Sequence, residues 1–265
     1  VKELDATEYV LENGIRIITK KTDFEKNIIY MTANSKGGTD LVSEDEIPSA
    51  QFAVNYAVLS GVSDLSFTDL QKKLTGSNVN LNAGIYSTSE AFTGSASNEN
   101  FEIMLQLTNL FFTQPRFTDE GWTYVMANAT QMASNYGTQP SDVFNAKIRE
   151  ILYKNNIRTS ALTPEYVSKM DKETSERIYK ERFANPADFT FTFIGDFNEK
   201  QLIENCCYYL GNLPTTNQKE ETKYVYFPFP EGKPSATVQK GQDNQGAVFM
   251  CFGGELEPAK DIESG

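Results

Sequence analysis

The sequence predicts an α+β fold, in which helices pack on one face of a mostly antiparallel sheet. Two observations carry this prediction. Residues 9–33 are rich in β-branched side chains and residues 78–97 alternate, as strands do. Residues 101–153 instead repeat apolar side chains with the 3.6-residue period of amphipathic helices. The resulting order of strands, helices, two strands, helices, strand and helix is typical of an α+β arrangement.

The first predicted element is a hairpin. Its strands cover residues 9–11 and 15–20, and the Asn13-Gly14 pair between them is typical of a type I′ turn, in which both central residues have positive φ. A third strand is predicted at 28–33, before a break at residues 37–39.

A buried helix is predicted next, from Ser49 to Leu59, because Pro48 opens it, Gly61 closes it and nearly all of its sides are apolar. The later elements are a helix at 66–76, strands at 78–85 and 87–97, helices at 101–114, 122–136, 141–153 and 163–183, a strand at 188–194 and a helix at 198–213. The apolar stripe of helix 122–136 is predicted to contain Trp122, Val125, Met126, Ala129, Met132 and Tyr136.

The pattern changes after residue 213, which sets the predicted domain organisation. Three prolines, a cluster of Lys and Glu and no long periodicity mark 214–232 as a linker between an α+β domain at 1–213 and a following unit at 233–265. Strands predicted at 236–240 and 246–252 would begin that truncated unit. Because the sequence opens on Val1 without a starting Met, we expect a piece of a longer protein.

The composition excludes several chemistries. The 265 residues contain no histidine, which removes Ser-His-Asp and Cys-His nucleophiles and every His-ligated metal centre. Three cysteines are one short of a Cys₄ zinc site, and two of them, Cys206 and Cys207, are adjacent. A net charge of −12 argues against nucleic-acid and anionic-lipid partners, and no apolar run is long enough for a membrane helix.

The remaining motifs favour structural roles. Glu44-Asp45-Glu46 lacks the spacing of a calcium loop and favours a solvated loop. Residues 37–39 lack the rest of a phosphate-binding loop and favour a turn. Cys206 lies in the apolar stripe of its helix and favours a core thiol.

One family is similar along most of the chain. The matching segments are Leu11-Glu12-Asn13-Gly14-Ile15-Arg16-Ile17-Ile18, the Gly-rich turn at 36–39, the apolar helix ending at Gly61, the strand pair containing 80–84 and 93–96, the segment 111–117 and Phe193-Ile194-Gly195-Asp196-Phe197. Their order resembles that of the pitrilysin/insulinase-type zinc peptidases, the inverzincins. The match covers about Tyr9 to Leu213.

The chain departs from this family where the chemistry resides. Active members carry H-x-x-E-H on the helix after the Gly-rich turn, with two zinc ligands and a general base, and a third acidic ligand on a later helix. By resemblance these positions are Phe52, Asn55 and Tyr56, and a site near Met132. None of these side chains ligates zinc usefully or takes a proton from water. We expect Phe52, Tyr56 and Met132 to be buried instead, at about 1.5–3 kcal/mol each.

The resemblance implies a non-catalytic domain from the C-terminal half of such a peptidase. Members consist of four related units that close around a peptide, and this chain resembles the third unit with the first strands of the fourth. We therefore expect an inner wall that faces peptide substrate. Zinc and the catalytic zinc-binding domain would lie elsewhere, in the same chain or a separate subunit. The family suggests the cell envelope or periplasm.

Two other hypotheses remain open. A scaffold or binding subunit with this fold would have no proteolytic partner, and so no H-x-x-E-H nearby. An independent enzyme with Asp/Glu chemistry would need paired carboxylates of perturbed pKa in a cleft, and no such pair is evident in the sequence.

Overall fold

The computed structural model describes residues 5–216, 219–241 and 246–253. Within these residues six strands form a single sheet: β1 Thr7–Val10, β2 Arg16–Lys21, β3 Ile28–Lys36, β4 Val79–Ile85, β5 Ser89–Ser97 and β6 Thr190–Gly195. Their order across the sheet is β1-β2-β6-β3-β5-β4. All neighbouring pairs are antiparallel except β2 and β6. The predicted α+β class and mostly antiparallel sheet are confirmed.

Helices cover one face of this sheet. Their bounds are α1 Ile47–Ala50, α2 Ala53–Ser60, α3 Phe67–Leu74, α4 Phe101–Thr113, α5 Asp119–Ser134, α6 Pro140–Tyr153, α7 Pro164–Val167, α8 Lys172–Arg182 and α9 Glu199–Tyr209. Short 3₁₀ turns lie at 39–41, 44–46, 157–159 and 186–188. Each predicted helix and strand up to residue 213 has a counterpart, and the predicted helices 49–59 and 163–183 are each broken into two.

The two faces of the sheet differ in composition, as strand alternation requires. The covered face carries buried apolar side chains such as Ile29 and Met31 on β3 and Phe191 and Phe193 on β6. The opposite face is solvent-facing and carries polar residues together with the exposed Tyr30 and Ile194. One cross-strand row of that open face consists of Thr192, Thr32, Thr93 and Asn82.

The predicted hairpin is confirmed, but its predicted turn type is wrong. Gly14 has a φ of 90°, whereas Asn13 is not among the residues with positive φ. The Asn13 side chain instead donates hydrogen bonds to the carbonyls of Leu210 and Leu213, at 2.9 and 3.2 Å. These contacts join the hairpin to the end of the α9 region, and they explain why this Asn keeps an ordinary backbone conformation.

The segment after residue 213 has no helix or strand among its described residues. The two strands predicted at 236–240 and 246–252 are therefore wrong for this chain, because a strand requires a hydrogen-bonded neighbour and these residues have none among those described. Whether 233–265 begins a new unit stays a prediction. Residues 254–265, the end of that range, lie outside the described residues.

None of the described helices is long and apolar enough to cross a membrane.

Candidate functional site

The helix expected to carry the degenerate motif is interrupted just before it. α1 ends at Ala50 and α2 begins at Ala53, with Phe52 between them at φ −112° and ψ 3°. The carbonyl of Ser49 accepts a hydrogen bond from the Phe52 N–H at 3.2 Å and from the Ser175 hydroxyl at 3.1 Å. Because the Ser49 carbonyl accepts from the Phe52 N–H three residues on, the α-helical hydrogen-bond pattern is interrupted there. A new helix begins after Phe52, which is the N-cap of α2.

Three of the four positions aligned with the zinc motif meet at one cavity. Phe52, Asn55 and Met132 line a space of about 290 Å³ between α2 and α5. The other lining residues are Leu59, Val125, Asn128 and Gln131. We call this space the motif cavity. Two elements separated in sequence by residues 61–118 thus come together where the resemblance places the metal site.

Tyr56, the fourth position, points elsewhere. It is 1% exposed and does not line the motif cavity. Its ring makes edge contacts with Phe117 and Trp122, with 5.2 Å between ring centroids in each pair. Burial raises the pKa of the Tyr56 hydroxyl. The predicted burial of Tyr56 is confirmed, and its role in the structure is to fill a second apolar cluster under α5.

The prediction that Met132 lies in the buried stripe of α5 is wrong. Met132 is 62% exposed, and the buried residues of this helix are Gly121, Val125, Ala129 and Ala133. Gly121 allows a close approach to α2, because a Cβ there would overlap the Ser60 side chain. The buried residues of α5 recur every four positions from Gly121 to Ala133, and Met132 lies outside that row. Phe52 is only half-buried, so both contribute less apolar burial than expected.

The side chains at the motif cavity do not fit zinc. Zinc in proteins is bound by imidazole, thiolate or carboxylate. The motif cavity offers a phenyl ring, three amides, a thioether and two aliphatic groups. The described residues contain no cluster of three His, Cys, Asp or Glu that could hold a metal ion. No step of a metal-dependent reaction can therefore be assigned to these groups.

Two further cavities lie along the edge strand β4. One, of about 300 Å³, lies between α2 and β4 and is lined by Val54, Asn55 and Ala83 among others. The next, of about 460 Å³, lies between α3, α4 and β4 and includes Leu70 and Phe111. Val58, Leu81, Asn82 and Ala83 line both, so the two are adjacent along the strand.

The other motifs have structural explanations. Cys206 is fully buried in the main core, which confirms a core thiol, and burial raises its pKa. Within the acidic run, Glu44 accepts a hydrogen bond from Asn156 and Glu46 forms an ion pair with Arg177.

A cluster of charged side chains was missed by the sequence analysis. Glu90 on β5 is fully buried, and its Oε1 lies 3.3 Å from Nη1 of Arg182 on α8. Arg182 also binds both carboxylate oxygens of Glu220, at 2.7 and 2.8 Å. We call these three residues the carboxylate cluster. Strand alternation puts Glu90 in phase with the buried Phe92, which is the one signal that could have indicated it.

Comparison with known proteins agrees with this architecture. No family model matches the chain. The fold is nevertheless that of a pitrilysin/insulinase-type peptidase unit, and the resemblance predicted from the motifs is confirmed. The chain is 26% identical over 229 residues to a protein named probable zinc protease PqqL from Escherichia coli K12. That match covers 86% of this chain and 23% of the relative, so the chain spans about a quarter of that protein's length.

Two solved structures illustrate the fold similarity. The periplasmic protease PqqL from Escherichia coli superposes with a TM-score of 0.69 at 22% identity, over 83% of this chain and 25% of that one. A peptidase M16 inactive domain from Pseudomonas fluorescens superposes with a TM-score of 0.61 at 10% identity, over 83% of this chain and 54% of that one. The shared fold therefore occurs both in a protease and in a domain described as inactive.

Proposed function

We propose that this chain is a non-catalytic unit of a larger pitrilysin/insulinase-type zinc metallopeptidase and forms part of the wall of its peptide chamber. The observation that carries the proposal is the motif cavity. Phe52, Asn55 and Met132 converge there, at the positions the resemblance aligns with the zinc motif, and they are not groups that hold zinc. In this proposal the unit keeps the fold of the peptidase family, while neutral side chains stand at the positions of the zinc ligands and the general base.

The size of the match supports membership of a larger protein. A chain that spans about a quarter of a relative has the length expected of one unit among four. In this proposal the zinc and its ligands belong to a catalytic domain elsewhere in the same polypeptide or in a partner subunit. The cell envelope is the proposed location, since one structural neighbour is described as a periplasmic protease.

The surfaces of the unit suit a wall that faces peptide and water. The open face of the sheet carries a neutral polar row formed by Thr192, Thr32, Thr93 and Asn82, with the exposed side chains of Tyr30 and Ile194 beside it. Beside it, the edge strand β4 has no strand partner on its outer side within the described part of the chain, and it is flanked by two cavities. Such a surface can contact many peptide sequences without a strong preference for charge.

The experiment that tests this proposal has a genetic and a biochemical arm. The coding sequence on both sides of the segment for this chain is determined and searched for H-x-x-E-H. The purified 265-residue chain is then titrated with Zn²⁺ by calorimetry and incubated with a mixture of fluorogenic peptides. We expect the motif in the same or a neighbouring gene, with neither stoichiometric zinc binding nor hydrolysis by the chain alone. Stoichiometric zinc binding or zinc-dependent hydrolysis by the chain alone would overturn the proposal.

The alternative of a scaffold subunit makes the opposite genetic prediction. It requires a complete coding sequence, and neighbours, without H-x-x-E-H. If that is found, the wall assignment fails and a binding role with the same fold takes its place.

An independent carboxylate enzyme is disfavoured by the geometry of the acid pair that includes the buried Glu90. Glu90 and Glu220 share Arg182, but Glu90 is fully buried, and so no substrate reaches it in this conformation. Hydrolysis of any peptide by the chain that is abolished by Glu90→Gln would revive this hypothesis.

A further inference from the structure

The segment expected to be a free linker lies along the folded unit. Residues 219–227, which we call the strap, make contacts with several elements. The Glu220 N–H donates to Asp188 at 3.3 Å, and the Val225 N–H donates to Asp40 at 3.1 Å. Phe227 makes an edge contact with Tyr153, at 5.5 Å between ring centroids. Backbone and side-chain groups of the same segment thus contact Asp188 before β6, Asp40 after β3 and Tyr153 on α6.

The strongest contact of the strap is its ion pair with Arg182. The guanidinium binds the Glu220 carboxylate through two hydrogen bonds, a geometry that adds both strength and orientation. The same Nη1 atom also donates to Glu90, so two carboxylates share one positive charge. Glu220 is about one-third exposed, whereas Glu90 is buried beneath it.

The Gly-rich turn at residues 36–39 is shaped around this carboxylate cluster. The Gly38 N–H donates to Glu90 Oε1 at 2.9 Å. Gly37 has a φ of 147°, and a Cβ there would lie 2.5 Å from Glu90 Oε1 and 2.7 Å from Glu220 Oε2. Because one point beside Gly37 is that close to both carboxylates, the two acids are near neighbours. Any larger residue at this position would separate them.

The cluster has one buried oxygen without a partner, Glu90 Oε2. When Glu90 is ionised, the cluster holds two negative charges and one positive charge, and the unpartnered oxygen is a desolvated anion. When Glu90 is protonated, the cluster is neutral and Arg182 is left to Glu220 alone. A buried carboxylate with one oxygen that accepts no hydrogen bond is costly when ionised, so the protonated form suits the closed arrangement.

We propose that Glu90, Arg182 and Glu220 form a proton-sensitive clasp, which holds the strap against the unit when Glu90 is protonated and loosens when Glu90 ionises. The partner of the clasp is the chain's own strap. The strap precedes residue 228 in the chain. The clasp would therefore control how closely the segment after the strap is held to the folded unit. This inference does not depend on a peptidase function.

The pKa of Glu90 is shifted in the direction that the clasp requires. Burial, as the largest cause, raises the pKa of the Glu90 carboxyl to about 7, and repulsion from Glu220 adds to it. The Gly38 N–H and Arg182 act in the opposite direction. Release of the strap would expose Glu90 to water and remove Glu220, and both changes lower the pKa. The closed state therefore binds the proton more tightly, and linkage requires that falling pH favours closure.

Other charged groups near the clasp act on it less directly. On the turn side, Lys36 lies 3.8 Å from Glu221 at the exposed rim of the strap. On the strand side, Asp188 accepts the Glu220 N–H. Arg182 from α8 and Glu220 from the strap are the side chains that shift the Glu90 carboxyl, together with the Gly38 N–H.

The test is hydrogen exchange of the strap amides, followed by mass spectrometry on the complete 265-residue chain between about pH 5.5 and 8.5, with the intrinsic exchange rate at each pH divided out. We expect the protection of residues 219–227 to fall as the pH rises through about 7. The fall should be about tenfold for each pKa unit by which closure raises the Glu90 pKa. The amides of α4 lie in the main core and report global unfolding, so their protection should exceed that of the strap at every pH.

Three variants decide the mechanism. Glu90→Gln, an uncharged mimic of the protonated acid, should keep the strap protected at every pH. Glu220→Gln, at a partly exposed position that tolerates change, should lower protection throughout and remove the pH step. Glu221→Gln, the matched control at the rim, should keep the step. A wild-type strap with constant protection, or a Glu220→Gln chain with an unchanged step, would refute the clasp even if Glu90→Gln failed to fold.

Discussion

The motif cavity and the carboxylate cluster have opposite chemistry. The cavity lies where the resemblance places a zinc ion and a general base, yet its walls hold only neutral side chains. The cluster lies where no sequence motif predicts chemistry, yet it contains a buried acid, a guanidinium and a second acid. The chain thus keeps a titratable group, but at the contact with the strap rather than at the motif.

The difference teaches how each region is stabilised. Around Tyr56 the contacts are aromatic and apolar, so they depend little on pH and strongly on shape. Around Glu90 the stability depends on pairing and on the protonation state, because a buried charge is tolerated only with partners. Substitutions in the two regions should therefore differ in size and in their dependence on pH.

The largest effect is expected at Tyr56. Tyr56→Ala removes a fully buried ring held between Phe117 and Trp122, and should lower the free energy of unfolding by about 3–5 kcal/mol. Urea denaturation at two pH values measures this, and the loss should be the same at both. Tyr124→Ala, at a 53% exposed position on the neighbouring helix, serves as the control and should change stability by less than about 0.5 kcal/mol. A loss below 1 kcal/mol for Tyr56→Ala would show that the aromatic contacts are not a stabilising core.

A slightly smaller loss is expected at Arg182. Arg182→Gln leaves Glu90 buried without its counter-charge and should cost about 3 kcal/mol at pH 8, because breaking a buried ion pair exposes the full desolvation penalty. The cost should be smaller at pH 6, where protonation of Glu90 relieves it. Arg16→Gln removes an exposed pair with Glu8 and should cost less than about 1 kcal/mol at either pH. Equal losses of unfolding free energy in the two variants would show that the Arg182 ion pairs stabilise the chain no more than an exposed ion pair does.

The third prediction concerns pH alone. The folded-state pKa of Glu90 is raised from 4.5 to about 7, so the native chain holds a proton that the unfolded chain releases. The corresponding stability is fully present below about 4.5 and is lost as the pH rises through about 7. We expect Glu90 to account for about 3 kcal/mol of difference between these limits. The difference should disappear in Glu90→Gln, as measured by urea midpoints across the pH range, and its persistence in that variant would assign it to other groups.

The smallest effect is expected at Met132. Because Met132 is 62% exposed, Met132→Ala should change stability by less than about 0.5 kcal/mol. Val125→Ala, on the buried side of the same helix, should cost about 2 kcal/mol. Thermal unfolding of the two variants compares them directly. If Met132→Ala proved the more damaging, the rotation of α5 described above would be incorrect.

Much of the architecture was predictable because local patterns specify it. The helix predicted at 66–76 corresponds to α3, and the Ser66 hydroxyl accepts the Asp69 N–H as an N-cap should. The alternation of residues 78–97 predicted β4 and β5, whose registers agree with it. The prediction of a type I′ turn was wrong because the Asn13 side chain donates hydrogen bonds to the distant carbonyls of Leu210 and Leu213. The prediction of one continuous helix at 49–59 was wrong for a similar reason, since the Ser49 carbonyl accepts a hydrogen bond from the distant Ser175 hydroxyl.

The sequence by itself determined the α+β class, the kind and order of the elements up to residue 213, and the absence of histidine from the motif positions. These depend on local periodicity and residue identity. The tertiary structure alone decided that Met132 faces outward, that Phe52 and Asn55 meet it at one cavity, and that Glu90, Arg182 and Glu220 share one charge network. Those features arise from packing between distant segments, where a neighbour's shape or charge overrides the local pattern, and no window along the chain contains both partners.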